Sequence, residues 1–389
     1  MKFKANLSVP HTQLLYNLIN PLSKLQSPAS SANNSHSVSS SSSPSSTILY
    51  LDDDKLVLST RGSSHKNDSE GIFCFAELIT TDGVFTSHVI DSLENDNAIL
   101  MEISLLQFKT ALKGVLATQK EANGAMVASH EVSIKLAKRN GGVPHLCFDI
   151  RDPFTYSANN SNHGHGHGNG NGNGNGNGSN DGIGIGVNYA IPVRIMRVDE
   201  LQYHVPPRLG MPDVQLGLPR DRPIRNVVER LRGIAPHLYI EGSMRGILTL
   251  RIDSDGASIR TSFDKLIPIH EDCKSSQSRA RARSQEEIEP TEQGQGQGGT
   301  TTTTAATQQR SQTQKEHVKC TLKVDSKKLH ACLHWQATLG IRDISSAVLC
   351  MFENEMLVLD VTLNPEIGRF MYYMPVHYIS TDDMDATFD

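Results

Sequence analysis

Four arginines recur through DRPIRNVVERLRGI, residues 221–234. Ile224, Val227, Val228, Leu231 and Ile234 fall at three- and four-residue spacing, which predicts a helix with one core-facing stripe. Arg222, Arg225 and Arg232 fall opposite that stripe, Arg230 lies at its flank, and Glu229 on the outer face dilutes the charge. Guanidinium groups on a solvent face suit a polyanion. They bond phosphate oxygens and displace counterions without reading bases. One such helix is ordinarily a solvated surface, but two further segments repeat the pattern. In Leu105–Thr118, Phe108, Ala111, Leu112 and Val115 point inward, while Lys109 and Lys113 line one flank and Lys120 follows just past the end. Lys327–Thr338 brings Lys327 and Lys328, with His330 and His334 as ionisable neighbours. A fourth helix, His11–Leu25, offers only Lys24. The chain as a whole carries a formal net charge of −5, so basic helix faces imply a surface segregated by sign.

Other chemistry is thinly represented. The glycines of GIGIGV (182–187) precede a strand with Pro192 instead of opening a helix, which excludes a dinucleotide site. HGHGHG (163–168) sits in a low-complexity tract and lacks the fixed geometry of a metal site. There is no P-loop, no HExxH, and no nucleophile–base–acid set, so the expectation is a protein without catalysis, cofactor or metal. The six cysteines follow no metal spacing and most lie in apolar patterns, as reduced thiols of an intracellular protein do. The opening MKFKANLSV reads as a strand, not a signal peptide. No run approaches the ~18 apolar residues of a membrane span.

These segments are positioned by a regular plan once three polar tracts are set aside. Residues 26–46 (Ser, Ala, Asn, Pro), 157–186 (Gly, Asn, His) and 271–316 (Gln, Thr, Ser, Gly and charge) read as disordered insertions. Between them, strands are expected at Lys2–Leu7, Ile48–Leu51, Lys55–Thr60, Gly71–Thr80, Val84–Ile90, Ile99–Ile103, Glu131–Ala137, His145–Ile150 and Tyr189–Val198. The helices are His11–Leu25, which Pro21 should kink or shorten, and Leu105–Thr118, capped by Ser104. The second half repeats the order. Its strands are expected at Val214–Leu218, Leu238–Glu241, Ile247–Ile252, Ser258–Phe263, Val318–Val324, Ala347–Phe352, Met356–Leu363 and Gly368–Met374, its helices at Asp221–Ile234 and Lys327–Thr338, the latter capped by Asp325 or Ser326.

The halves also match in detail. LYLDDDKLVL (49–58) parallels LYIEGSMRGILTL (238–250), EISLLQFKTALKGVL (102–116) parallels KVDSKKLHACLHWQA (323–337), and CFDI (147–150) parallels VLDV (358–361). Internal duplication follows. Two helices per half must cover one face of largely antiparallel sheets, giving an α+β fold of two duplicated domains. The expected limits are 1–198 and 214–380, joined by a connector at 199–213 and followed by a tail at 381–389.

This plan resembles a DNA sliding clamp. The segments MKFKANL, IPVRIM, PDVQLGLP, IRNVVERLRGI, HLYIEGSMRGILTLRI, TSFDKL, LKVDSKKLHACL, MFENEMLVLDV and FMYYMPV are similar to the Hus subunits of the heterotrimeric checkpoint clamp. The likeness is strongest over 188–266 and 318–376. It implies a nuclear, non-enzymatic subunit, joined with two Rad-family subunits in a ring around duplex DNA. A clamp loader would place the ring, and checkpoint and repair clients would be recruited to it. The helices would line the hole. Edge strands would meet the neighbours, by position through Glu131, Ser133 and Lys135 on one side and Ser258, Arg260 and Ser262 on the other. The connector would offer Leu201, Tyr203, Val205, Leu209 and Met211 to clients, or else pack them on its own sheet. Ser276, Ser284 and Ser311 each precede Gln and resemble checkpoint-kinase targets. A replicative homotrimeric clamp of the PCNA type and an α+β interaction scaffold without a DNA role are the competing readings.

Overall fold

Alternation sets the strands. In KFKANL, Phe3, Ala5 and Leu7 point inward while Lys2 and Lys4 are exposed. The computed structural model describes residues 1–26, 47–61, 71–80, 83–92, 97–122, 132–139, 141–150, 188–254, 257–269, 319–364 and 367–379, with the side chains of 119–122 excepted. The three expected insertions (Gln26 apart), the tail 381–389, Glu131 and the candidate phosphosites Ser276, Ser284 and Ser311 lie outside the described residues.

The chain divides into two units. Unit 1 comprises Met1–Thr60, Ala76–Val205 and Glu366–Gly368; unit 2 comprises Arg61–Phe75, Pro206–Pro365 and Arg369–Asp389. One of the five points at which the chain passes from one to the other falls between Val205 and Pro206. The first run of elements is β1 (Lys2–Leu7), α1 (Val9–Gln26), β2 (Thr47–Leu51), β3 (Lys55–Arg61), β4 (Phe73–Ile79), β5 (Ser87–Asp91), β6 (Ile99–Ile103), α2 (Leu105–Ala122), β7 (Val132–Arg139), β8 (Val143–Ile150), β9 (Asn188–Pro192) and β10 (Arg194–Met196). The second is β11 (Val214–Gly217), α3 (Pro223–Leu231), β12 (His237–Ser243), β13 (Ile247–Ser254), β14 (Ala257–Phe263), β15 (Ile267–Pro268), β16 (Lys319–Asp325), α4 (Ser326–Cys332), α5 (Trp335–Thr338), β17 (Ile344–Phe352), β18 (Met356–Leu363) and β19 (Gly368–Pro375).

The duplication is complete in topology. One sheet of the first run has the order β5-β1-β7-β8-β9, and its counterpart is β15-β11-β17-β18-β19. The other, β6-β2-β3-β4, is matched by β16-β12-β13-β14. After its last strand each run sends the chain back to the second sheet. Pro192 ends β9, and β10 then pairs with β6; after β19, His377 N–H donates to Lys323 O of β16 at 2.7 Å. The strand expected over Tyr189–Val198 is therefore two strands of two sheets.

Three other expectations change. The interface strand expected at Glu131–Ala137 is β7, and β7 is internal: it pairs with β1 through Lys4–Lys135 to Leu7–Val132 and with β8 along its whole length. Ser133 is buried and Lys135 pairs with Asp149, so neither offers an edge. The free flanks of that sheet among the described residues are β5 and β9. The helix at 221–234 contracts to Pro223–Leu231, because Pro223 occupies its first turn, and Ile234 is left exposed. Pro21, by contrast, stops nothing: α1 continues to Gln26, anchored by the buried Leu18, Ile19, Leu22 and Leu25.

The cysteines serve packing. Cys74, Cys147, Cys320 and Cys332 are buried and free. Burial pushes the Cys332 thiol up to about 12; for Cys320, burial first and then Asp213 and Glu353 do the same, to about 12.

Candidate nucleic-acid interface

In unit 2, α3 packs beside α4. Ile224, Val228 and Leu231 bury the inner stripe of α3, and Arg222 and Arg230 stand exposed. Arg222 Nε donates to the Gln336 carbonyl at 3.1 Å, which orients the guanidinium from its Nε end. Arg225 is not on the open face as expected; its side chain is 14% exposed. It belongs to a cluster built around the one carboxylate among the described residues of α3, α4 and α5. That carboxylate, Glu229, lies 3.9 Å from Arg225 Nη1, 3.7 Å from Arg232 Nη2 and 4.0 Å from His330 Nε2. At the start of α4, the Asp325 carboxylate accepts from the Lys327 and Lys328 backbone N–H groups at 2.8 Å each. Lys327 is exposed and Lys328 half-buried.

Arg232 Nη1 donates to His330 Nδ1 at 3.1 Å, which requires the ring to be neutral with its proton on Nε2. Burial first, then Arg232 and Arg225, hold the His330 pKa below the ordinary 6.5, against the pull of Glu229. Unfolding frees the ring to protonate. The stabilisation from this group is thus complete above about pH 6.5 and declines as the pH falls below it. We expect the urea midpoint of the full chain to drop between pH 7.5 and 5.5, and His330→Gln to reduce that drop. An identical pH response in the variant would remove His330 from the account.

The α1 and α2 helices of unit 1 pack together. Neither contains a carboxylate up to Thr118. Lys109 Nζ donates to Ser23 Oγ at 3.2 Å, which ties α2 to α1. Burial first, then the nearby charges of Lys24 and Lys113, lower the Lys109 pKa. Three cations therefore gather with no acid among them, and α1, poor in charge as a sequence, contributes Lys24 to this cluster. Lys120 lies in the last turn of α2, where side chains are outside the described residues.

A family model described as Hus1-like protein matches residues 34–377. The chain belongs to the Hus1-like family. Among solved structures it is similar to PCNA from Thermococcus kodakaraensis, at a TM-score of 0.51 and 10% identity, over 96% of this chain and 100% of the other. At that identity the likeness shows the fold alone: this Hus1-like chain has the α+β sliding-clamp architecture expected of it.

Two further sets of expected residues find places in the Hus1-like chain. The connector starts as a 3-10 helix, Val198–His204, whose last carbonyl accepts from Ser59 Oγ at 2.9 Å. Its apolar residues separate. Leu209 packs on Phe352, Val358 and Tyr373 of unit 2, as a connector covering its own sheet would. Leu201 is half-buried, Tyr203 and Val205 are exposed, and Met211 is 78% exposed. On β14, Ser258, Arg260 and Ser262 are exposed, and β14 pairs only with β13 among the described residues. Sequence reasoning missed the tethers Ser23 and Gln336 and the hub role of Glu229. The spacing Arg225–Glu229 and Glu229–Arg232 carries a signal for the last, since residues three and four apart meet on a helix.

Proposed function

We propose that this chain is a non-enzymatic subunit of a heterotrimeric DNA clamp acting in the nuclear damage checkpoint. Its three basic helical segments, with Lys24 of α1, face the phosphates of an encircled duplex. The observation that carries this reading is the segregation of charge. Lys24, Lys109 and Lys113 gather without a carboxylate, and helices α3 and α4 carry Arg225, Arg230, Lys327 and Lys328 with Glu229 as their one carboxylate, flanked by Asp221 and Asp325, in a chain of net charge −5. Such faces bind duplex DNA independently of sequence.

The duplication suggests how neighbours join. Phe73–Phe75 of β4 count with unit 2, where β4 lies next to β19. The topological twins of β4 and β19 are β14 and β9, and both have a free flank among the described residues. In this reading, β14 of one subunit pairs with the β9-type edge of the next. Head-to-tail contacts of this kind close into rings. Membership of the Hus1-like family favours two different Rad-family neighbours over copies of the same chain. A loader then places the ring, and Tyr203, Val205 and Met211 are the exposed connector residues offered to clients.

Mass measurement in solution tests the assembly. The chain purified alone should be monomeric, and co-expression with two Rad-family subunits should give a 1:1:1 complex. A stable homotrimer of the chain alone would sink the heterotrimer in favour of a PCNA-type replicative clamp.

A further inference from the structure

We propose that unit 2 carries a docking groove for an extended acidic peptide bearing large apolar side chains, on a partner protein. The groove, of about 360 Å³, lies where the end of β11, the short β15 and the start of β17 meet. That volume is in the range of specific ligand clefts. Leu218, Ile267, Ile269 and Val348 make it apolar, and the only charged residues lining it are Arg220 and Lys265. Ile267 is 72% exposed, an aliphatic side chain held open to water.

The internal duplicate serves as a control. In unit 1 the equivalent position is closed: β5 lies along five residues of β1, from Lys2–Asp91 to Asn6–Ser87. In unit 2, among the described residues, β15 pairs with Leu216 and Gly217 of β11, and Ile269 N–H donates to Gln215 O at 3.1 Å. Strand β7 runs beside β8 without a break, whereas β17 shifts register between Ile344 and Ser346. The Ser345 carbonyl at this irregularity accepts from Arg220 Nη2, which fixes the guanidinium at the rim. A shortened edge strand and a bulge thus open a site in one copy of a repeated fold. Bulges commonly re-aim groups at functional places. Asp221 and Asp264 adjoin these cations in sequence but do not line the groove, so its only charged lining is basic and calls for acidic groups in the occupant, while the apolar lining calls for leucine-like side chains. The flank of β15 that has no partner among the described residues suits an extended main chain. None of this depends on the ring reading.

The test uses the full chain and a fluorescein-labelled octapeptide alternating aspartate and leucine, followed by anisotropy. Saturable binding is expected, with the lysine–leucine counterpart at least tenfold weaker. Arg220→Glu with Lys265→Glu, or Ile267→Asp alone, should each weaken the acidic probe tenfold or more. All three side chains are exposed, so the fold should survive. Absence of binding, equal binding of both peptides, or no effect of these variants would overturn the proposal. So would displacement of the probe by duplex DNA, which would assign the two cations to phosphate.

Discussion

Reversing the charge at Lys109, Lys113, Arg222 and Arg230 together is expected to abolish most of the salt-sensitive affinity of the assembled complex for duplex DNA. Each lost phosphate contact removes about 0.9 from the slope of log affinity against log salt, so four should lower it by roughly 3 to 4. At 0.1 M salt that corresponds to a loss on the order of a thousandfold in affinity. The choice of residues follows from the structure. Lys113, Arg222 and Arg230 are exposed. Lys109 is held by Ser23 in a cluster without acids. Arg225 and Arg232 are left alone because they hold Glu229 and His330, and reversing them would disrupt the α3–α4 contact itself. Binding at several salt concentrations, with circular dichroism to check folding, reads the result. An unchanged slope in the folded variant would mean that these faces do not meet phosphates.

The largest effect on stability is expected from Gly246→Ala. Gly246 closes the β12–β13 hairpin, its N–H donating to Ser243 O at 3.0 Å, and its φ is +78°. A Cβ there would stand 2.2 Å from the Leu266 carbonyl oxygen, while the Gly246 carbonyl itself accepts from Leu266 N–H at 2.9 Å. The left-handed backbone costs alanine about 1 kcal/mol. Relief of the clash must move backbone, not a side-chain tip, which brings the expected loss to roughly 3 kcal/mol or more. Gly210→Ala, where a Cβ would meet nothing within 4 Å, is the control and should change stability by less than about 0.5 kcal/mol. Urea unfolding of both variants decides the matter. Equal midpoints would show that the hairpin yields at no cost.

Much of this fold is legible in the chain because alternation and helical spacing are local signals. The spans Ile99–Ile103 and Met356–Leu363 are strands as read, and Asp325 caps its helix. The duplication is visible because corresponding core positions kept their spacing. What is not local is harder. Period-two alternation tells which face of β7 is buried but not what lies on either side of it, so an internal strand passes for an edge. A helical wheel gives the angle of Arg225 around α3 but not where α4 docks, so a guanidinium packed between helices passes for a solvent-facing one. The pattern over Lys327–Thr338 reads as one helix, and Cys332, Leu333, Trp335 and Gln336 are all buried. On one straight helix those four would share a face roughly 160° wide, so their burial gives no periodic sign of the break at Leu333 and His334 between α4 and α5. Two-residue β15 is too short for any period to register.

The flank of β14 that is free among the described residues has a consequence for the chain outside the proposed ring. Its seven residues contain a single charge, Arg260, and no proline, so little discourages another extended chain from adding to it. In that proposal, a subunit made in excess of its neighbours is poorly suited to wait in solution alone. On the proposed ring reading, production of the chain together with its neighbours should therefore raise its soluble yield above that of the chain made alone.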